Sequence, residues 1–141
     1  YKFGEDGPTL KPVLTWKTFI SEVKKAKKGE YIGYGCTFKT TRETKIGILP
    51  IGYYDGYDRK LSNKGIVLIK GQRAPVVGRV CMNLIMVDLT DIENVYEGDV
   101  AYLIGQEGEE TVTADILAEL AQTINYEILA RISPDIPRSV I

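Results

Sequence analysis

Along this chain of 141 residues, apolar positions come in short runs broken by glycine, proline and charge. Leu14, Trp16 and Thr18 alternate, which suits a strand. Phe19, Ile20 and Val23 also fit a helical stripe, with Lys24, Lys25, Lys27 and Lys28 at its solvated end. The pattern leaves strand and helix both open there. Lys28-Gly29-Glu30 reads as a turn. Residues 45–51 (KIGILPI), 66–70 (IVLIK), 75–80 (PVVGRV), 84–89 (LIMVDL) and 99–105 (DVAYLIG) read as further strands. Residues 71–73 (GQR) read as a tight connection and 106–110 (QEGEE) as a charged loop. Many short strands with glycine-rich turns predict a mainly β fold, a small barrel-like domain or a sandwich.

The period changes after residue 112. Thr113 suits a helix N-cap, with Asp115 in the first turn. Ile116, Leu117, Leu120, Ala121 and Ile124 then fall on one helical face. A second short helix is expected from Asn125 or Tyr126 to about Arg131, with Pro134 and Pro137 ending regular structure. Gly4, Gly7, Pro8 and Pro12 make residues 1–12 an extended arm or linker, leaving 13–141 as one β-domain.

Composition narrows the chemistry. The apolar share of 44% and charged share of 26% are those of an ordinary globular domain. A formal net charge of −1 gives no reason to expect nucleic acid or an anionic membrane as partner. No apolar run approaches the roughly 20 residues of a membrane span, and a cytoplasmic location is expected. Cys36 and Cys81 can form at most one bridge and read as reduced thiols. Histidine is absent, so an ordinary four-ligand zinc site and any Ser-His-Asp or Cys-His pair are excluded within the chain. Acid–base work falls to carboxylates, lysine, cysteine or tyrosine, and there are nine tyrosines.

Two stretches stand apart. In Gly33-Tyr34-Gly35 a tyrosine lies between two glycines, which cost entropy in a strand and contribute no side chain. Something is therefore expected to approach Tyr34 closely. Residues 52–60 (GYYDGYDRK) put three tyrosines in a turn-rich segment, either as a binding surface or as packing. Asp55-Gly56 within it reads as turn chemistry.

GYG at 33–35, LPIGYYDGYDRKLSN at 49–63, VGRVCMNLIMVDLTD at 77–91 and TINYEILARISPDIPR at 123–138 occur in that order. This set resembles the C-terminal β-domain of bacterial alanine racemases, including the serine/alanine racemases of the vancomycin-resistance type. The resemblance implies a pyridoxal-phosphate enzyme interconverting L- and D-alanine, L- and D-serine, or both, for peptidoglycan precursor synthesis. It implies an N-terminal (β/α) barrel carrying the cofactor lysine, and a head-to-tail homodimer joining one subunit's barrel to the other's β-domain. The lysine motif of that barrel is absent here, so the chain reads as the β-domain alone and is expected to be inactive by itself.

The same resemblance implies residue roles. Tyr34 is the catalytic acid–base group on one face of the substrate, opposite the barrel lysine. Racemisation removes the Cα proton and returns it on the other face, so two groups must flank the substrate. A phenol is a weak base at neutral pH unless a cation or donor favours its anion. Met82 binds the substrate carboxylate through its backbone N–H. Tyr53, Arg59 and Ile124 line the entry corridor, and Tyr126 hydrogen-bonds the cofactor phosphate on the side of its own subunit's barrel. Asn83 stands where the family has aspartate: a neutral change that keeps a turn hydrogen bond, a loss of negative charge that eases carboxylate binding, or an amide that suits a hydroxyl such as serine's. Asp135 stands where the family often has arginine. The competing reading is a non-catalytic dimerisation or binding module that keeps the fold.

Overall fold

A computed structural model describes residues 11–140, so the expected arm lies almost wholly outside the described residues. The strands are β1 (Trp16–Phe19), β2 (Glu22–Ala26), β3 (Tyr31–Ile32), β4 (Phe38–Lys39), β5 (Thr44–Leu49), β6 (Ile66–Ile69), β7 (Gln72–Pro75), β8 (Ile85–Asp88), β9 (Val100–Glu107) and β10 (Glu110–Val112). Two helices follow, α1 (Ala114–Ala121) and α2 (Asn125–Ala130). Short 3₁₀ turns cover Tyr34–Cys36 and Arg59–Leu61.

The strands form one sheet of order β1-β9-β6-β7 with β10 added to β9, a second of order β2-β5-β8, and the β3-β4 hairpin. All named pairs are antiparallel. The mainly β class with two short C-terminal helices is observed, but the sheets do not close into a barrel among the described residues. Two edges carry residues that discourage further pairing, and among the described residues only the Val76–Val87 bridge links the β7 end to β8. The edge strand β2 carries Lys24 and Lys25, and the edge strand β7 ends on Pro75. Lysine and proline both discourage a further strand from pairing.

Long-range pairing settled the ambiguous segment 14–28 as two strands. β1 pairs with β9 and β2 with β5. Trp16 turns inward while the β2 lysines stay at the surface. Three boundaries differ from the sequence reading. Gln72 and Arg73 already belong to β7, because Lys70 and Gly71 make the hairpin turn at φ 53 and 71. Within 75–80 only Pro75 is in a strand; Val76 makes a single bridge to Val87, and Gly78 then turns the chain at φ 77. Residues 106–110 are a β9–β10 hairpin rather than a loop, turning at Gly108 with φ 62.

Thr113 caps α1 as expected: its Oγ1 accepts from the Ile116 N–H at 3.2 Å. Leu117, Ala118 and Ala121 are buried. The helix stops at Gln122, left-handed at φ 56, so Ile124 leaves the expected apolar face and becomes the exposed N-cap residue of α2. The main core gathers Leu68, Ile69, Leu103, Leu117 and Ile85 with Trp16 and Tyr57. The Trp16 and Tyr57 rings meet at 6.2 Å and 54°.

Candidate active site

Tyr34, Tyr53, Arg59, Met82 and Asn83 line one cleft of about 340 Å³, joined by Arg79. These residues come from three separate segments, which the fold draws together. Each segment is held by identifiable contacts.

Gly33-Tyr34-Gly35 is not a strand but the 3₁₀ turn between β3 and β4. Its glycines answer to constraints within the chain. Both are left-handed, at φ 73 and 72. A Cβ on Gly33 would stand 2.8 Å from Met86 Cε, and one on Gly35 would stand 3.0 Å from Arg79 Nε. The turn therefore lies directly on Arg79 and Met86, and Tyr34 projects outward, 75% exposed. Asn63 braces the arrangement. Its Nδ2 donates to Thr37 Oγ1 at 3.2 Å, and its Oδ1 accepts from the Gly78 N–H at 2.6 Å.

The tyrosine loop is fixed against Cys81 and Met82. Tyr53 N–H donates to the Cys81 carbonyl at 3.0 Å, and Tyr54 N–H to the Met82 carbonyl at 2.9 Å. A Cβ on Gly52 would fall 2.2 Å from the Cys81 oxygen and 2.4 Å from the Met82 oxygen, so only glycine fits. Asp55 has the turn role expected of it, its carboxylate accepting from the Gly52 N–H at 2.8 Å. The three tyrosines divide. Tyr53 and Tyr54 face solvent, whereas Tyr57 is fully buried in the core. Burial pushes the Tyr57 hydroxyl above the usual phenol range, so it stays neutral.

Arg59 opens the second 3₁₀ turn, capped by Asp58, whose Oδ1 accepts from the Lys60 N–H at 2.8 Å. Cys81 also lines the cleft. Burial raises its thiol above the ordinary value, with Arg59 pulling the other way. The lining carries two guanidiniums and no carboxylate. Such a site attracts an anion and pairs well with carboxylate or phosphate.

Ile124 and Tyr126 do not line this cleft. They stand at the start of α2, 63% and 60% exposed. Asn125 ties that start to α1, its Nδ2 donating to Asp115 Oδ1 at 2.7 Å. Asp135 is exposed in the tail, with its N–H donating to Ser133 Oγ at 3.3 Å. Arg79 is the residue that sequence reading missed. Its signal was a lone cation inside the apolar run PVVGRV, directly after Gly78.

The family described as "Alanine racemase, C-terminal domain" matches residues 13–140. The alanine racemase of Halothermothrix orenii is 53% identical over 129 residues, covering 92% of this chain and 34% of the relative. The crystal structure of alanine racemase from E. faecalis aligns with a TM-score of 0.86 at 43% identity, covering 92% of this chain and 34% of that one. That of Bartonella henselae, with covalently bound pyridoxal phosphate, aligns at 0.79 and 32% identity, covering 84% and 32%. The chain thus spans about a third of the length of these relatives. By sequence and by fold, the chain belongs to the alanine racemase C-terminal domain family.

Proposed function

We propose that this domain is part of a pyridoxal-phosphate-dependent alanine racemase and supplies Tyr34 to the active site of a partner subunit. The observation that carries the reading is the convergence of Tyr34, Tyr53, Arg59, Met82 and Asn83 on one cleft. Tyr34 points out of the domain, as a group must that works on a substrate held by another polypeptide.

The donor set fits an anionic cofactor adduct. Two guanidiniums, two phenols and an amide face the cleft, and no lysine is among the residues lining it. In this reading the lysine that holds the cofactor is supplied by an N-terminal barrel domain, as the family resemblance implies. Tyr126, outside this cleft, would hold the phosphate of the cofactor bound to its own subunit's barrel. Pyridoxal phosphate, when bound, delocalises the negative charge left at Cα. The Tyr34 hydroxyl moves a proton at Cα on one face, the barrel lysine working on the other. Met82 orients the substrate carboxylate through its backbone N–H. Tyr53, Arg59 and Ile124 narrow the entry and exclude water and larger amino acids. In this reading the assembly is a homodimer in which the tyrosine and the cofactor lysine come from different subunits. Among the described residues no helix is long and apolar enough to cross a membrane.

Alanine is the substrate of this reading. Serine is the second, favoured by Asn83, whose amide lines the cleft and can bond a hydroxyl that alanine lacks. The deciding experiment supplies the full-length parent enzyme with pyridoxal phosphate and compares D-product formation from L-alanine and L-serine. Racemisation of alanine supports the proposal. Serine turnover that falls in Asn83→Asp while alanine turnover persists supports the second substrate. No racemisation of either amino acid contradicts both and favours the binding module.

A further inference from the structure

The tyrosine loop is clamped from two sides, and the second clamp lies beyond the cleft. A Cβ on Gly56 would stand 2.3 Å from the Arg131 carbonyl oxygen, and the Ser133 N–H donates to the Asp55 carbonyl at 3.0 Å. The loop therefore rests directly on the end of α2. Beside these contacts lies an ion pair. Asp58, only 7% exposed, accepts through Oδ2 from the Arg131 guanidinium. Its other oxygen caps the turn that begins at Arg59. Arg131 also reaches back one helical turn to Glu127 Oε1 at 2.6 Å. Glu127 Oε2 in turn accepts from the Thr123 hydroxyl. Thr123, Glu127, Arg131 and Asp58 form one polar chain from the entry of α2 to the turn of Arg59. A second cleft of about 390 Å³ is lined by this pair with Tyr53 and Arg59.

A carboxylate this buried requires a partner, and removing that partner is costly. For stability alone an apolar pair would serve as well. What a planar guanidinium between two carboxylates adds is geometry, because its donors fix distance and angle together.

We propose that Arg131, bridging Asp58 and Glu127, is a positioning residue that sets α2, with Ile124 and Tyr126, against the loop of Tyr53 and Arg59. This deepens the racemase reading and rests on it. The test uses the full-length enzyme with Asp58→Asn, Arg131→Lys and the double variant. Pyridoxal phosphate is titrated into apoenzyme by absorbance, and KM and kcat are measured for L-alanine. Either single variant weakens cofactor binding and raises KM by about three- to tenfold, with kcat changing less, and the double variant matches the singles. Lysine keeps the charge but loses the fork, so it behaves like the asparagine variant. Variants that lose thermal stability while keeping both constants overturn the proposal, as does a lysine variant with wild-type constants. If Asp58→Asn does not fold, Arg131→Lys decides alone. A wild-type enzyme that does not racemise alanine overturns the functional reading instead. Amide exchange across residues 124–131 then tests the positioning by itself: faster exchange in the variants supports it, and unchanged exchange overturns it.

Discussion

Tyr53 and Tyr57 sit four positions apart on one loop, and burial separates their roles. Tyr53 opens onto the cleft, while Tyr57 packs on Trp16 with its hydroxyl lacking a hydrogen-bond partner among the described residues. A buried hydroxyl left unpaired costs about 1–3 kcal/mol. Tyr57→Phe therefore raises the melting temperature of the chain; a fall would mean the hydroxyl has a function in the fold. The sequence showed three tyrosines on a turn but not which one turned inward, because that depends on Gly52 and Gly56 meeting backbone from distant segments. Cys36 and Cys81 differ in the same way. Cys36 is exposed, whereas Cys81 is half-buried with its thiol value raised by burial. The thiolate is the reacting form. Iodoacetamide at neutral pH thus labels Cys36 first, read by peptide mass mapping; faster labelling of Cys81 contradicts the assigned burial.

At the level of elements, local signals worked where a single chain segment decides the outcome. The cap at Thr113 is one: a hydroxyl before an apolar helical stripe satisfies an orphan N–H wherever the helix packs. Thr113→Ala is expected to cost about 1 kcal/mol, measured by denaturant unfolding, with Thr113→Ser restoring most of it. Local signals failed where pairing decides. The segment 14–28 carries both periodicities, and only β9 and β5, some 80 and 20 residues away, select the strand form. The sequence hides Arg79 for a related reason. Its run reads as a strand, yet Gly78 breaks the run and places the arginine beneath the Tyr34 turn.

For the whole molecule, the fold matters as a way of presenting one face. Two open sheets and a helix pair hold the Tyr34 turn, the tyrosine loop and the Cys81–Met82 segment at a common cleft. Tyr34, Tyr53, Tyr54, Met82, Ile124 and Tyr126 are all exposed, an apolar and phenolic set that other polypeptide is expected to cover. The motifs at 33–35, 49–63 and 77–91 made most of this site legible in advance, since each keeps its residues together in sequence. Closure of the sheets was not legible, because edge pairing is a property of the assembled sheets. In the proposed reading, racemisation by this domain requires a proton carried by Tyr34. That requirement is tested most directly in the full-length enzyme by the exchange of Cα hydrogen for solvent deuterium, starting separately from L- and D-alanine. Tyr34→Phe is expected to slow exchange from one enantiomer by about 10²–10⁴-fold while the other direction and cofactor absorbance are far less affected. Near-wild-type exchange from both enantiomers would contradict it.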